Sequence, residues 1–589
     1  MTAFLRVSPG KVTTKLALAI CLLLYWDLAS ATADDRLTVT IEGLENRPRD
    51  NVTVYLQINE LAGKPVSSEA RLRWLHSQAP EDIRRALQPF GFYQPEITAS
   101  LERTDSGWQA RYRVNAGPPL RVTKLDVRVL GEGSRDPAFQ KALTELPLAT
   151  GQVLEHTRYE RIKQTLQELA TERGYFNAHL LANEVRVDLQ TYSAAVILHF
   201  DTGQRYRFGQ ITFHQDALAP EFLRRYLDFQ PGDPYAVADL LKLQSDLISS
   251  NYFTQVGVNA SPDHAVDLSL PVDVDLQLRK SLKLTYGLGY GTDTGVRGKI
   301  NIERPWVNPW GHHYDVELLA SQIKYGLAGK YVIPGKDPRT DSFSLRASVL
   351  RQNFSAQDNL AGIVGISQQH QDGAWLKITS LNYQLETFTI GDNQQTTGLL
   401  IPGLNWTRVV ADNRLNTTDG SLLNLMLQGA YEPLLSDLSF LQATVRGKRI
   451  KSLDINDRFI LRAALGTTFT SDFDQFPTSL RFYAGGDNSV RGYSLDSIGP
   501  RNAQGDVIGG KHLVVGSLEY EHRILENWSV AGFVDSGDAF DQAPEFKTGV
   551  GIGLRWLSPV GPVRVDLASG LERPPGDIIR LHLIIGPDL

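Results

Sequence analysis

The pattern of apolar and polar positions changes character near residue 280. Before that point, short runs of period two alternate with stretches of helical spacing. Ile162, Leu166, Leu169 and Ala170 fall at i, i+4, i+7 and i+8, on one face of a helix. Alternating runs at 37–41, 122–127 and 208–213 open three segments, and pairs such as 184–189 and 194–200 close them. Each helical stretch ends in an aromatic pair: Gly91-Phe92-Tyr93, Gly174-Tyr175-Phe176 and Asn251-Tyr252-Phe253. Gly and Asn suit the left-handed position that terminates a helix. The recurrence predicts three β-α-α-β-β modules, at 34–117, 118–203 and 204–280, each large enough for a small core. The aromatics are expected to start the following strand and pack beneath the helices.

From 281 to 589 the period is two almost throughout. Leu282, Leu284, Tyr286, Leu288 and Tyr290 alternate with Lys283, Thr285, Gly287 and Gly289. The same spacing returns at Phe343/Leu345/Ala347/Val349, Phe459/Leu461/Ala463/Leu465 and Val550/Ile552/Leu554/Trp556, and again near the end of the chain. Arg346, Arg462, Arg555, Arg564, Asp566, Arg580 and His582 are interleaved. Apolar-out, charged-in alternation over many strands predicts an all-β transmembrane barrel, since a soluble sandwich would turn its charges outward. Trp306, Trp310, Trp406 and Trp556, near strand ends, suit interfacial girdles. At about 10 residues per strand plus turns, counts of roughly 14 to 18 strands all fit.

One stretch interrupts the alternation. Gly485-Gly486-Asp487-Asn488-Ser489-Val490-Arg491-Gly492-Tyr493 follows a strand-like run at 480–483 and opens a Gly- and Asn-rich span up to Gly510. A loop of that length in a compact domain points to function or disorder. Given a barrel, it is expected to fold into the lumen. Arg491 carries a permanent charge on a rigid fork. Asp535 alternates onto the inward face with Ala531 and Phe533, which makes it the expected partner; the alternative is two lumen charges solvated separately. The first and last strands must also meet. Gly287, Gly289 and Gly291 weaken the first, and Gly586-Pro587 limits pairing by the last, so this seam is expected to be able to open sideways to lipid. Glycines relieving crowding at a barrel bend are the competing explanation.

Composition removes several function classes. The net charge is −6 and no basic block occurs, which excludes nucleic acid as a partner. No run of 18 apolar residues follows residue 30, which excludes a helical membrane protein but not a barrel. Arg6, Lys11 and Lys15 followed by an apolar 16–26 and small residues at 29–33 predict a secretory signal over 1–33. Cys21, the single cysteine, lies inside it, so the exported chain is expected to hold no disulfide and no Cys-metal site. Gly287-Leu288-Gly289-Tyr290-Gly291 sits in a strand and lacks the G-x-G-x-x-G spacing, His312-His313 is too small for a metal site, and G-x-S-x-G is absent. No catalytic residue, metal or cofactor is expected, and the chain is not read as an enzyme.

Sequence motifs add a resemblance over essentially the whole exported chain. The three modules resemble POTRA domains. Residues 289–295 (GYGTDTG), 304–312 (RPWVNPWGH), the loop at 486–493 with Val490-Arg491-Gly492-Tyr493, 531–537 and 556–566 are similar to the TamA family within the BamA/TamA outer-membrane assembly-factor superfamily. The chain ends Ile585-Gly586-Pro587-Asp588-Leu589 rather than on the superfamily's usual terminal aromatic, an ending that resembles the TamA family's own. The resemblance implies about 16 strands, and a lid loop whose Arg491 meets a wall acid, Asp535. It implies POTRA modules that capture peptides by strand addition. It further implies insertion or secretion of client barrel proteins such as autotransporters, a TamB-like inner-membrane-anchored partner, and residence in the outer membrane with the N-terminal modules in the periplasm. A two-partner secretion transporter and a passive porin are the alternatives; three modules rather than two argue against the first, and the lid loop against the second.

Overall fold

The computed structural model describes residues 36–585 apart from 106, 355–356, 391–392, 415, 559–560 and 574–578. The leader-like segment with Cys21, and Gly586 and Pro587 of the expected seam, lie outside the described residues. The chain divides into two compact units. One holds the residues up to Gly209 with 231–238 and 262–270; the other holds 210–230, 239–261 and 271 onward.

Three small sheets precede a large one. The first module runs β1 (Arg36–Glu42), α1 (Asn46–Tyr55), α2 (Glu69–Leu87), β2 (Glu96–Thr104) and β3 (Gly107–Asn115). The second runs β4 (Arg121–Leu130), α3 (Pro137–Thr144), α4 (His156–Glu172), β5 (His179–Asp188) and β6 (Ser193–Asp201). The third runs β7 (Arg207–His214), α5 (Pro220–Leu223), α6 (Val237–Ser249), β8 (Phe253–Asn259) and β9 (Ser269–Leu278). In each, the last strand lies in the middle, giving sheet orders β1-β3-β2, β4-β6-β5 and β7-β9-β8. In the first two modules the opening strand runs parallel to the central one.

Central strands alternate strictly because one face meets the helices. Ala194, Val196, Leu198 and Phe200 of β6 are buried in one cluster with Ile162, Leu166 and Ala170 of α4. Full burial of each larger apolar side chain is worth about 1.5–3 kcal/mol. Gly91, Gly174 and Asn251 adopt φ of +86°, +81° and +64°, so each helical stretch ends where the sequence indicates.

The aromatic pairs do something different from the expectation. Only Phe253 begins a strand. After Gly91 and Gly174 the chain needs several residues to reach the sheet, and Pro95, with no N–H to pair, immediately precedes β2. One ring of each pair then projects beyond its own module. Tyr93 Oη meets His156 Nε2 of the second module at 2.7 Å. Phe176 packs edge-on against Tyr206 and Tyr235, both at 5.2 Å between centroids. Tyr252 Oη donates to the Gly311 carbonyl in a barrel hairpin at 2.6 Å. The rings are joints as much as core. Arg339, in the barrel turn after Gly335, makes a second joint: it binds Asp228 bidentately at 2.8 Å and Asp246 at 3.0 Å, both in the third module.

The large sheet has sixteen strands, β10 (Lys283–Gly291) to β25 (Arg580–Ile585), each paired antiparallel with its neighbours in sequence. The alternation sorts as expected: Leu284, Tyr286, Leu288, Leu461 and Ile552 are exposed outward, whereas Ser517, Glu519, Asp566 and His582 are buried inside. The run at 480–483 corrects the sequence reading, since it joins no barrel strand. β20 (Asp457–Thr470) ends earlier and β21 (His512–Leu525) begins later, so the loop spans 471–511. Leu480 closes a short 3-10 turn, and Phe482 and Ala484 bridge only to Gly510 and Ile498 of the same loop. The cause is Arg481. Its buried guanidinium donates to the carbonyls of Phe473, Asp474, Phe476 and Ile508, which curls the chain back on itself.

Candidate functional site

The loop is anchored first at its stem. Glu386 on β16 (Trp375–Ile390) is fully buried and accepts hydrogen bonds from Thr478 Oγ1 (3.2 Å), the Ser479 N–H (3.1 Å) and Ser479 Oγ. Thr397 of β17 (Asn393–Ala411) donates to the Gln475 carbonyl, and Gln442 of β19 (Phe440–Ser452) to that of Leu480, both at 2.8 Å. Phe476 fills an apolar pocket with Leu399, Ile401, Leu438 and Phe440. These contacts seat the stem on one arc of the wall.

The tip reaches another arc. Arg491 is 2% exposed. Its Nε and Nη2 donate to the two oxygens of Asp535 on β22 (Trp528–Phe540) at 2.7 and 2.9 Å, and its backbone N–H to Asp535 Oδ2 at 3.1 Å. Nη1 donates to Glu519 on β21 (2.7 Å) and to Asp566 on β24 (Gly561–Gly570; 3.0 Å). The guanidinium also lies 3.3 Å from the Phe533 ring centroid. Arg555 on β23 (Lys547–Ser558) closes the set, bonding Glu519, Glu521 and Asp566 at 2.6, 3.1 and 2.5 Å. Arg458 bonds Glu521 at 2.5 Å, and Arg462 lies 3.6 Å from Asp535. Four guanidinium groups thus face four carboxylates, which is how buried charge is tolerated.

Around Arg491 the signature residues explain themselves sterically. Val490 is buried among Phe482, Ala484, Leu513, Val515 and Ala539. Gly492 has φ +92°, and a Cβ there would lie 2.7 Å from the backbone of Ser569 and Gly570. Tyr493 Oη donates to Glu572 at 2.6 Å. Gly549 on β23 makes room for the loop, since a Cβ there would sit 1.8 Å from the Arg491 carbonyl oxygen.

The seam lies beside this tip. Among the described residues β10 and β25 form no ladder with each other. Gly287 and Gly289 turn their missing side chains toward Lys299 and Arg297 of the neighbouring β11 (Gly295–Arg304), not toward β25; Gly291 lies near Thr294, Asp487 and the Leu583 carbonyl. Asp293, Asp487 and His582 bring ligand-type atoms within 4.8 Å of one another. They are already engaged: Gly492 N–H donates to His582 Nε2 at 2.9 Å, which places the ring proton on Nδ1, 2.5 Å from Asp487 Oδ1.

Sequence reasoning assembled Arg491 and Asp535 but not their surroundings. Glu519 was within reach of the same logic, because it alternates with the outward Leu518 and Tyr520. Glu386 carries the same signal, beside the outward Tyr383 and Leu385, whereas Asp487, a loop residue, carries none.

The family model described as "Omp85 superfamily domain" matches residues 280–586, one for "POTRA domain TamA domain 1" matches 38–116, and one for "Surface antigen variable number repeat" matches 206–279. Among curated relatives, the outer membrane protein assembly factor BamA of Nitratidesulfovibrio vulgaris is 25% identical over 380 residues, covering 59% of this chain and 46% of that protein. BamA of Neisseria meningitidis serogroup B is 22% identical over 544 residues, covering 79% of this chain and 66% of that protein. The chain thus spans about half to two thirds of the length of these relatives. The crystal structure of Haemophilus ducreyi BamA lacking POTRA domains 1–3 superposes with a TM-score of 0.68 at 17% identity, over 79% of this chain and 98% of that one. That likeness is one of fold: POTRA domains followed by a nearly closed barrel.

Proposed function

We propose, on the premise that the chain belongs to the Omp85 superfamily, that it inserts or secretes client polypeptides at the outer membrane without catalysis. The barrel resides in that membrane and the POTRA domains in the periplasm. The observation that carries the proposal is the lid: a loop fixed into the lumen at stem and tip suits a barrel that handles protein clients rather than one that passes solutes.

The finer reading is a TamA-type factor. In it, 1–33 is removed on export, the POTRA domains occupy 34–117, 118–203 and 204–280, and the barrel 281–589. Val490-Arg491-Gly492-Tyr493 forms the latch and Asp535 its wall partner. The first domain's match to a TamA-specific POTRA model, and three modules rather than two, favour this over a two-partner secretion transporter. Edge strands such as β2 and β5 offer unpaired backbone for strand addition by clients, autotransporters among them. A TamB-like inner-membrane-anchored subunit is the proposed partner. The seam between β10 and β25, lacking a ladder, is the proposed exit to lipid.

Reconstitution tests this. Liposomes holding the full chain should accelerate insertion of an autotransporter barrel, and planar bilayers should show little steady conductance. A steady open pore with no effect on insertion would make it a porin. Affinity capture with residues 34–280 should recover the inner-membrane subunit; its absence would remove the TamA assignment while leaving the family.

A further inference from the structure

Among the described residues, β25 is joined to the turn after β10 by one direct hydrogen bond and by a chain of hydrogen bonds routed through the lid loop. The Leu583 N–H of β25 donates to Thr292 Oγ1, in the turn after β10, at 3.2 Å. Thr292 passes its own proton to Asp487 Oδ1 at 3.0 Å. The same oxygen receives the His582 Nδ1 proton at 2.5 Å, and His582 Nε2 accepts from the Gly492 N–H at 2.9 Å. The polarity is set at both ends, because a backbone N–H can only donate. Leu583 therefore makes Thr292 oxygen an acceptor and frees its proton, and Gly492 makes His582 a donor at Nδ1. Both protons converge on one carboxylate oxygen. The Asp487 N–H in turn donates to Asp293 Oδ2 at 2.6 Å, an approach open only because Gly486 has no Cβ, which would lie 2.6 Å from that oxygen.

We propose that Asp487 is the positioning residue that holds the seam closed, so that the strands cannot part without withdrawing the lid loop from one of them. This rests on the reading of the seam as an exit. Arg491 does not share the role: its partners sit on β21, β22 and β24, so it fixes the loop to the wall and leaves the seam untouched. Among the described residues of the loop, Asp487 takes bonds from both sides, Thr292 beside the first strand and His582 on the last. Hydrogen bonds to a charged acceptor are strong enough that losing it should lower the closed population on the order of tenfold or more.

The test uses the full chain in liposomes with Cys21→Ser and spin labels on Leu288→Cys and Leu581→Cys, two outward positions that are 91% and 50% exposed on β10 and β25. Double electron–electron resonance reads the distance between them. The otherwise wild-type protein should give one population, and Asp487→Ala and His582→Leu a second, longer one. Asp487→Asn keeps an acceptor oxygen for both donors and should restore the single population. Unchanged distributions in both disruptive variants would overturn the proposal, as would failure of Asp487→Asn to rescue. Should Asp487→Ala not assemble, Thr292→Val removes the first-strand arm together with the direct Leu583 bond; a second population is expected, and a wild-type distribution overturns. Client insertion measured in the same variants separates the two ideas: a loosened seam with unaltered insertion leaves the Asp487 clasp standing and removes the seam as exit.

Discussion

At Arg491 the lid loop rests on strands joined by continuous ladders from β20 to β24. At Asp487, a few residues earlier, it rests on a seam with none among the described residues. The first contact sets four guanidinium groups against four carboxylates, nearly all buried, and every oxygen of Asp535 is used. The second is a handful of hydrogen bonds, two meeting at one oxygen of Asp487 and one running directly from Leu583 to Thr292. A buried, fully satisfied ion network resists change because removing one member strands the others. A contact of so few links is weakened sharply by losing one of them. One loop thus has a heavily networked hold and a sparsely bonded one, and the difference lies in the number of alternative partners each charge has.

The sharpest way to break the comparison is at the heavily networked hold. Arg491→Glu sets a fourth carboxylate among Asp535, Glu519 and Asp566. It should cost at least the about 3–5 kcal/mol of a broken buried pair and reduce the yield of protease-resistant, heat-modifiable barrel. Adding Asp535→Arg should recover part of it, and only part, since Glu519 and Asp566 stay in place; no recovery would remove the direct pairing. Gly549→Leu attacks the same contact without touching charge. A side chain at that position collides with the Arg491 carbonyl, so the tip should leave the wall and conductance in planar bilayers should rise from near zero to steady openings.

Smaller effects sharpen the contrast with the stem. Glu386→Gln swaps one acceptor oxygen for an amide facing donors that already point at it, which should lower barrel stability by about 1–3 kcal/mol in thermal unfolding while leaving seam distances unchanged. The smallest effect belongs to the half-buried joint at Arg339. Hydrogen bonding from Arg339 is the main cause that holds the Asp228 carboxyl down to about 2, against burial and helped by Lys242. A folded value below the unfolded one, about 3.9, means the contribution is complete above that value and is lost as pH falls toward about 2. Arg339→Ala should therefore increase protease cleavage between the third POTRA domain and the barrel by a constant factor from pH 7 to about 4. The difference should vanish nearer pH 2 and shrink in high salt, whereas the Arg491 contact should ignore salt.

Much of this was legible before any coordinates. A period of two over three hundred residues predicts the barrel and its inside and outside, and that parity puts Asp535, like Glu519 and Asp566, on the inward face that Arg491 meets. The length of the lid was misjudged because Leu480, Phe482 and their neighbours read as a strand; only the tertiary contacts of Arg481 show that the chain curls there. The aromatic pairs were read as core, yet Tyr93, Phe176 and Tyr252 reach the next domain, a property of how modules abut rather than of any one module's pattern. The seam was anticipated from glycines, although those at 287 and 289 face β11.

Local pattern determines which face of each strand meets lipid and where helices stop, because these follow from solvent and backbone geometry. Which strands the loop touches was decided only by the tertiary structure. Asp487, Thr292 and His582 lie far apart in sequence, and their meeting depends on where sixteen strands bring the first beside the last. No periodicity encodes that closure, because a hydrogen bond between distant segments needs both to be in place before either side chain has a partner.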